Sequence, residues 1–187
     1  MLLLLPLVVA GVVACDPAEP EYSRKYQCYF MFDGKIHNNS ILKGVLNPLA
    51  PGYFAMVTKQ GGTASSIDLS ISLYGGQPET VRMTTAEELR YPCILGTGNS
   101  LVIGCSSFNN GAIYAYDRQC SNCLETNYPM TNYALSWTNN GQGLKCSTCG
   151  RTYDLNNGGI VTGGASGMKL IRYRASYDGN VLVVSDK

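Results

Sequence analysis

Charge is scarce in this chain. It has 14 Lys and Arg and 13 Asp and Glu in 187 residues, a net charge of +1. Charged residues make up 14% of the total, against roughly 25% in ordinary soluble domains. Without a basic excess there is no electrostatic footprint for phosphate backbones, and no nucleic-acid partner is expected. Histidine is nearly absent. The single His37 excludes multi-histidine metal sites, and any histidine-based catalysis would have to use it. It lies in the polar stretch Lys35-Ile36-His37-Asn38-Asn39, which reads as a surface loop. Also lacking are a Ser/His/Asp set, a convincing carboxylate pair and a phosphate-binding loop. The glycines from Gly163 to Gly167 do not follow the strand–Gly–helix pattern that a dinucleotide site needs. Catalysis carried by this polypeptide alone is therefore not expected. What is plentiful is apolar and turn-forming: 45% hydrophobic residues, 21 Gly and 13 Tyr. That is enough for a core, and it favours many short strands joined by turns.

The one long apolar run is Met1 to Ala14, MLLLLPLVVAGVVA. It falls short of the ~20 residues of a spanning helix and fits the h-region of a secretory signal. It ends in Val12-Val13-Ala14-Cys15, which resembles the lipobox of bacterial lipoproteins. That resemblance implies cleavage before Cys15 and acylation of its thiol and new amino group. Several acyl chains hold a protein stably to a bilayer, at ~0.8 kcal/mol per buried CH₂. The expected localisation is the cell envelope, on a bacterial membrane, facing the periplasm or the cell surface. Residues 15–25 then form the lipidated cysteine and a Pro- and Glu-bearing tether. The nine residues Asp16 to Arg24 reach about 30 Å when extended. Residues 26–187 form a single domain.

From Tyr26 onward the pattern is all-β. Cys28 to Phe32 is a dense aromatic run closed by Asp33-Gly34. Tyr53 to Thr58 follows a Pro-Gly turn. Ile67 to Leu73 alternates strictly, as a strand with one buried face does. Leu101 to Ile103 and Ile113 to Tyr116 form a hairpin around Asn110-Gly111. Leu170 to Ala175 and Val181 to Val184 form another around Asp178-Gly179. Thr84 followed by Glu87 and Glu88 predicts one short helix from Thr85 to Arg90, ended by Pro92.

The chemistry lies in cysteine. Cys120-Ser-Asn-Cys123 and Cys146-Ser-Thr-Cys149 are two C-x-x-C motifs separated by 22 residues. Each short loop aims two sulfurs at one point, and two such loops make a tetrahedron of thiolates. Gly150 supplies the unusual φ that turns backbone N–H groups toward the sulfurs. Disulfides are the competing use of cysteine in an exported protein, but paired motifs at this spacing favour a metal cage. A thioredoxin-like pair would open a helix, and no helical periodicity follows either motif. Haem attachment fails because Leu124 and Gly150 stand where histidine is needed.

The second motif continues as Cys146-Ser-Thr-Cys149-Gly150-Arg151-Thr152-Tyr153-Asp154, then Gly158-Gly159. This resembles the second cluster-binding loop of Rieske domains, Cys-x-x-His-Gly-x-x-aromatic-Asp. Hairpins before the first motif and after the second follow the Rieske order, from about Leu101 to Val184. The resemblance implies a Rieske-like antiparallel sandwich or barrel with a rubredoxin-like metal-binding subdomain at about 117–160. Cys120 and Cys146 match the cysteine ligands, whereas Cys123 and Cys149 stand where histidines would be. All-cysteine ligation implies a potential nearer −400 mV than the −150 to +300 mV, roughly, of Rieske centres.

Four thiolates suit Zn²⁺ or mononuclear Fe, and can also hold a [2Fe–2S] cluster. Outside the cytosol Zn²⁺ is preferred. The expected function is a membrane-anchored module with a structural metal. The alternative is a low-potential electron carrier with a redox partner protein. Tyr153 is a candidate neighbour of the sulfurs or else a core aromatic. Asp154 reads as a turn residue and Trp137 as packing over the site. Cys28, Cys93 and Cys105 are each flanked by apolar residues, with one disulfide among them as a further option.

Overall fold

Strict alternation at Ile67, Leu69 and Ile71 buries one face of a strand, while the continuous run Ser100–Cys105 is buried at every position. That contrast sets the architecture. A strand apolar on both faces must be covered twice. The computed structural model describes residues 21–127 and 132–187. The signal, Cys15 and the first part of the tether lie outside the described residues.

In chain order the elements are β1 (Tyr29–Asp33), α1 (Ile41–Val45), β2 (Phe54–Thr63), β3 (Ser66–Ser72), β4 (Glu79–Met83), β5 (Ser100–Cys105), β6 (Ile113–Asp117), α2 (Ser121–Asn127), β7 (Ser136–Thr138), a 3₁₀ turn (Asn139–Gly141), β8 (Gly143–Lys145), β9 (Thr152–Asp154), β10 (Val161–Gly163), β11 (Arg172–Tyr177) and β12 (Val181–Ser185). Eight strands form one antiparallel sheet in the order β1-β12-β11-β6-β5-β2-β3-β4, and four form a second in the order β10-β9-β8-β7. The fold is all-β, as expected. The expected strands are present with shifted ends, and both expected hairpins form.

The large sheet curls around its inner core. Phe30 and Phe32 of β1, Leu69 and Ile71 of β3, and Val81 and Met83 of β4 share one apolar cluster, although β1 and β4 are opposite ends of the strand order. Helix α1 adds Leu42 and Val45 to that core. Its first turn is capped by Ser40, whose Oγ accepts from the Leu42 N–H at 3.1 Å.

Parity along the central strands assigns the two faces. Ala55, Val57, Leu101, Ile103 and Ala115 point into the inner core. Their neighbours Phe54, Met56, Val102, Tyr114 and Tyr116 point outward, into a second cluster shared with the small sheet and three of the late cysteines. The small sheet is thus the lid over the outer face of β2, β5 and β6. Two buried polar contacts fasten it. The Tyr116 hydroxyl donates to the Leu155 carbonyl at 2.9 Å, and Ser106 Oγ donates to the Asn156 carbonyl at 2.6 Å.

Two expectations are corrected. The helix from Thr85 to Arg90 does not form; the segment is a turn closed by a bond from the Leu89 N–H to the Thr85 carbonyl. The capping exchange exists one residue later than expected, between Thr85 and Glu88. Glu88 is instead drawn into the protein, where its carboxylate meets His37 Nε2 at 2.9 Å. His37 is accordingly no surface residue. Its side chain is 14% exposed and its ring stacks on Phe32. The two short helices that do form lie elsewhere, at α1 and α2.

The end of β6 is set by a buried carboxylate. Asp117 accepts from the Thr97 N–H (2.7 Å), the Gln119 N–H (2.9 Å) and the Tyr173 hydroxyl (2.8 Å). Burial pushes its pKa up against these three donors. Gly96 makes room for it, since a Cβ there would lie 2.4 Å from Asp117 Oδ2. Removing the acceptor strands three donors, at roughly 1–3 kcal/mol each if none is resolvated. Asp117→Ala is therefore expected to destabilise the protein by about 3 kcal/mol or more, read as a lower denaturant midpoint at unchanged slope.

Candidate metal centre

Four cysteines come together where α2 and the small sheet meet. The Sγ atoms of Cys120, Cys123, Cys146 and Cys149 all lie within 4.8 Å of one another. Two of the six separations, Cys120–Cys149 and Cys123–Cys146, are 3.7 Å. Both of these join one motif to the other, so neither loop makes the site alone.

The two motifs present their sulfurs differently. Cys146 and Cys149 lie in the turn between β8 and β9. The Gly150 N–H donates to the Cys146 carbonyl at 3.0 Å, and the Cys146 N–H to the Arg151 carbonyl at 2.9 Å. Gly150 has φ +75°, and a Cβ there would meet nothing within 4 Å. Backbone conformation, not crowding, is what calls for glycine. The first motif is no such turn. Cys120 immediately precedes α2, and Cys123 lies inside it. The absence of a helix after this motif, read from the lack of periodicity, is corrected. Seven residues make only two turns, too few to display a period. On a helix the i,i+3 spacing puts both sulfurs on one face.

The start of α2 is held by the Asp117 network. The Cys120 N–H donates to the Tyr133 carbonyl at 2.9 Å, and Gln119 Oε1 accepts from the Tyr133 N–H at 2.6 Å. The carboxylate that ends β6 thus acts, two residues on, to place the first sulfur. Trp137 is half-buried on β7 opposite Leu144 and packs on the cluster that includes the cysteines.

Tyr153 is both of the things expected of it. It is a buried aromatic on β9, and its hydroxyl lies 3.2 Å from Cys120 Sγ. Asn122 Nδ2 donates to that same hydroxyl at 3.0 Å and to the Met168 carbonyl at 2.8 Å. Its Oδ1 accepts from the Met168 N–H at 2.9 Å. Asn122 had no signal in the sequence beyond lying inside the motif. Asp154 is a turn residue as expected, accepting from the Asn156 N–H at 2.8 Å.

The electrostatics are those of a donor set that calls for a cation. Burial pushes the Cys120 thiol up, against the Tyr153 hydroxyl and the Cys123 N–H. Burial, then the neighbouring Cys149 and Cys120 sulfurs, push Cys123 up as well. Cys149 goes the other way. Burial opposes its ionisation, but the N–H and guanidinium of Arg151 outweigh it and bring the pKa down to about 6. Packed sulfurs cannot all ionise beside one another unless a positive charge stands among them. The four side chains can hold a metal ion.

Cys28, Cys93 and Cys105 are buried and carry free thiols. Burial raises all three, Cys93 to about 11 with Lys59 working in the opposite direction. They line no shared cluster with the other four. No helix among the described residues is long and apolar enough to cross a membrane.

No family model, curated protein or solved structure matches this chain. The fold and site define its class by themselves: an all-β domain whose two sheets bring four cysteines into a cluster able to hold a metal ion.

Tyr153→Phe removes the hydroxyl that bridges Cys120 and Asn122 while keeping the buried ring. Metal affinity is expected to fall about 10-fold, in line with the loss of other outer contacts to metal ligands. Competition with a chromogenic chelator reads the change.

Proposed function

We propose that the chain is a membrane-anchored module whose Cys120, Cys123, Cys146 and Cys149 hold one structural Zn²⁺. The mutual spacing of the sulfurs carries this reading. Zn–S bonds of about 2.3 Å give a tetrahedron with edges of about 3.8 Å. The 3.7 Å separations match that edge, and the remaining pairs, all within 4.8 Å, would close by up to about 1 Å around an ion. A [2Fe–2S] core has two irons, which divide its terminal sulfurs into two more widely separated pairs. The compact cluster favours a single ion. Four sulfur ligands leave no position for a catalytic water, so the ion's contribution would be cohesion.

That contribution would be local. The small sheet has strands of three residues each and packs in the second apolar cluster, shared with the outer face of the large sheet and distinct from its inner core. Structural zinc contributes roughly 10–16 kcal/mol of binding free energy in small host domains. Purified protein is expected to contain one zinc per chain. Chelation is expected to abolish hydrogen-exchange protection in α2 and β7–β10 while β2, β3 and β5 stay protected. Full protection of the small sheet after complete metal removal would sink the reading.

A second reading takes a single iron in the same site as a low-potential electron carrier. Cys149 favours it, being the one partly exposed sulfur of the four and so a point of electron entry. Colour and a reversible redox wave after anaerobic purification would select this reading over zinc.

The proposed anchor is Cys15; residues 21–25 lie against the domain, where the Ser23 N–H donates to the Arg172 carbonyl at 2.7 Å and Lys25 pairs with Glu125, so the expected tether of residues 15–25 shortens to residues 15–20. Cys15→Ser is expected to move the protein from the membrane fraction to the soluble one and to abolish incorporation of labelled fatty acid.

A further inference from the structure

The large sheet carries a cleft at the ends of β2 and β3, on the side where the 3₁₀ turn approaches it. Its volume is about 360 Å³, within the range of roughly 300–1,000 Å³ that small-molecule pockets occupy. Tyr53, Tyr74, Asn140 and Gln142 line it, with Pro51, Phe54 and Leu73 as its apolar wall. No Asp, Glu, Lys, Arg or His does.

The two tyrosines are unusually open for large aromatic residues, Tyr53 at 63% exposure and Tyr74 at 50%. Asn140 and Gln142 are exposed too. The segment presenting the amides is held in an uncommon conformation. Asn139, Asn140 and Gly141 are all left-handed, with φ of 49°, 51° and 83°. Asn enters this region more readily than other residues with side chains, but as single residues, and successive examples are rare. Gly141 also has to be glycine for close packing, because a Cβ there would lie 2.6 Å from the Cβ of Tyr74. Strain of this kind gathers where a binding surface must be pre-shaped.

We propose that this cleft binds a neutral carbohydrate. A charged ligand would meet no counter-charge. A purely apolar ligand would strip water from the two amides without replacing their hydrogen bonds. An extended peptide has no strand to join, because β2 and β3 are both interior strands of the sheet. A sugar ring meets the remaining demands together. Its C–H face stacks on an open tyrosine ring, and its hydroxyls both donate and accept, as do the amides and phenols around it. Asn140 and Gln142 lie in the connection between β7 and β8, so the assignment needs the small sheet folded but not any particular metal in the cysteine cluster.

The test is calorimetric titration of full-length protein, in a detergent without a sugar headgroup, with maltose, cellobiose and N,N′-diacetylchitobiose. Saturable binding of at least one is expected. Tyr53→Ala and Tyr74→Ala are each expected to weaken it roughly 10-fold or more, with metal content and circular dichroism unchanged. If either tyrosine variant fails to fold, Asn140→Ala and Gln142→Ala, at exposed positions, carry the same expectation. Absence of binding by all three sugars at millimolar concentration overturns the proposal. So does binding that none of these substitutions weakens. Dilution heats showing that the face pairs with a second copy of the chain, relieved by Tyr74→Ala, would also overturn it.

Discussion

Strands β2, β5 and β6 are apolar on both faces, and the need to cover both places every other element. Water must be excluded from Val57, Leu101 and Ile103 on one side and from Met56, Val102 and Tyr116 on the other. The large sheet meets the first demand by curling until β1 and β4 share a core. It cannot also meet the second, because a sheet that closes on one face turns the other outward. The small sheet and α2 cover that outer face, and in doing so they bring the two C-x-x-C motifs together. The four-cysteine cluster is thus seated on a surface that would have needed a cover even without it.

Covering the face is not enough to position sulfurs to within an ångström. Strands of three residues hold few ladder bonds, and α2 has two turns. Buried polar contacts supply the alignment. Asp117 fixes the exit from β6, Gln119 and Tyr133 carry that alignment to Cys120, and Asn122 and Tyr153 tie α2 to β9 and to the Met168 backbone. Each contact is costly to break in the interior, which is what makes it a good locator. The same economy of charge seen in composition reappears here. A chain with few ionisable groups has buried two of them, Asp117 and Glu88, and half-buried His37, each with named partners.

The proposed functions divide along these layers. The cluster of thiols belongs to the lid, and its ion would hold the lid closed. The carbohydrate cleft belongs to the far ends of β2 and β3, where the lid's 3₁₀ turn reaches Tyr74. Residues 15–20 would link both to the lipid surface. Attachment is then a task apart, while recognition draws on both sheets and so on the cohesion of the lid.

Much of this was legible in the residues alone. Alternation at Ile67 to Leu73 declared a half-buried strand, Asn110-Gly111 and Asp178-Gly179 declared hairpins, and the paired motifs declared four converging thiols, because each rests on local geometry with a fixed period or spacing. The glycine after Cys149 was legible for the same reason: a left-handed residue is a local requirement. Helix α2 was not, since two turns are too short to show a period. The turn at Thr85 was misread as a helix because local capping chemistry is the same in both, and only the pull of His37 on Glu88 distinguishes them. The roles of Asn122 and Asp117, the burial of His37 and the cleft between Tyr53 and Tyr74 were decided by tertiary structure alone. They depend on residues 31 to 56 positions apart in the chain, or on separate turns meeting, and no local pattern records which distant groups will share a dry interior.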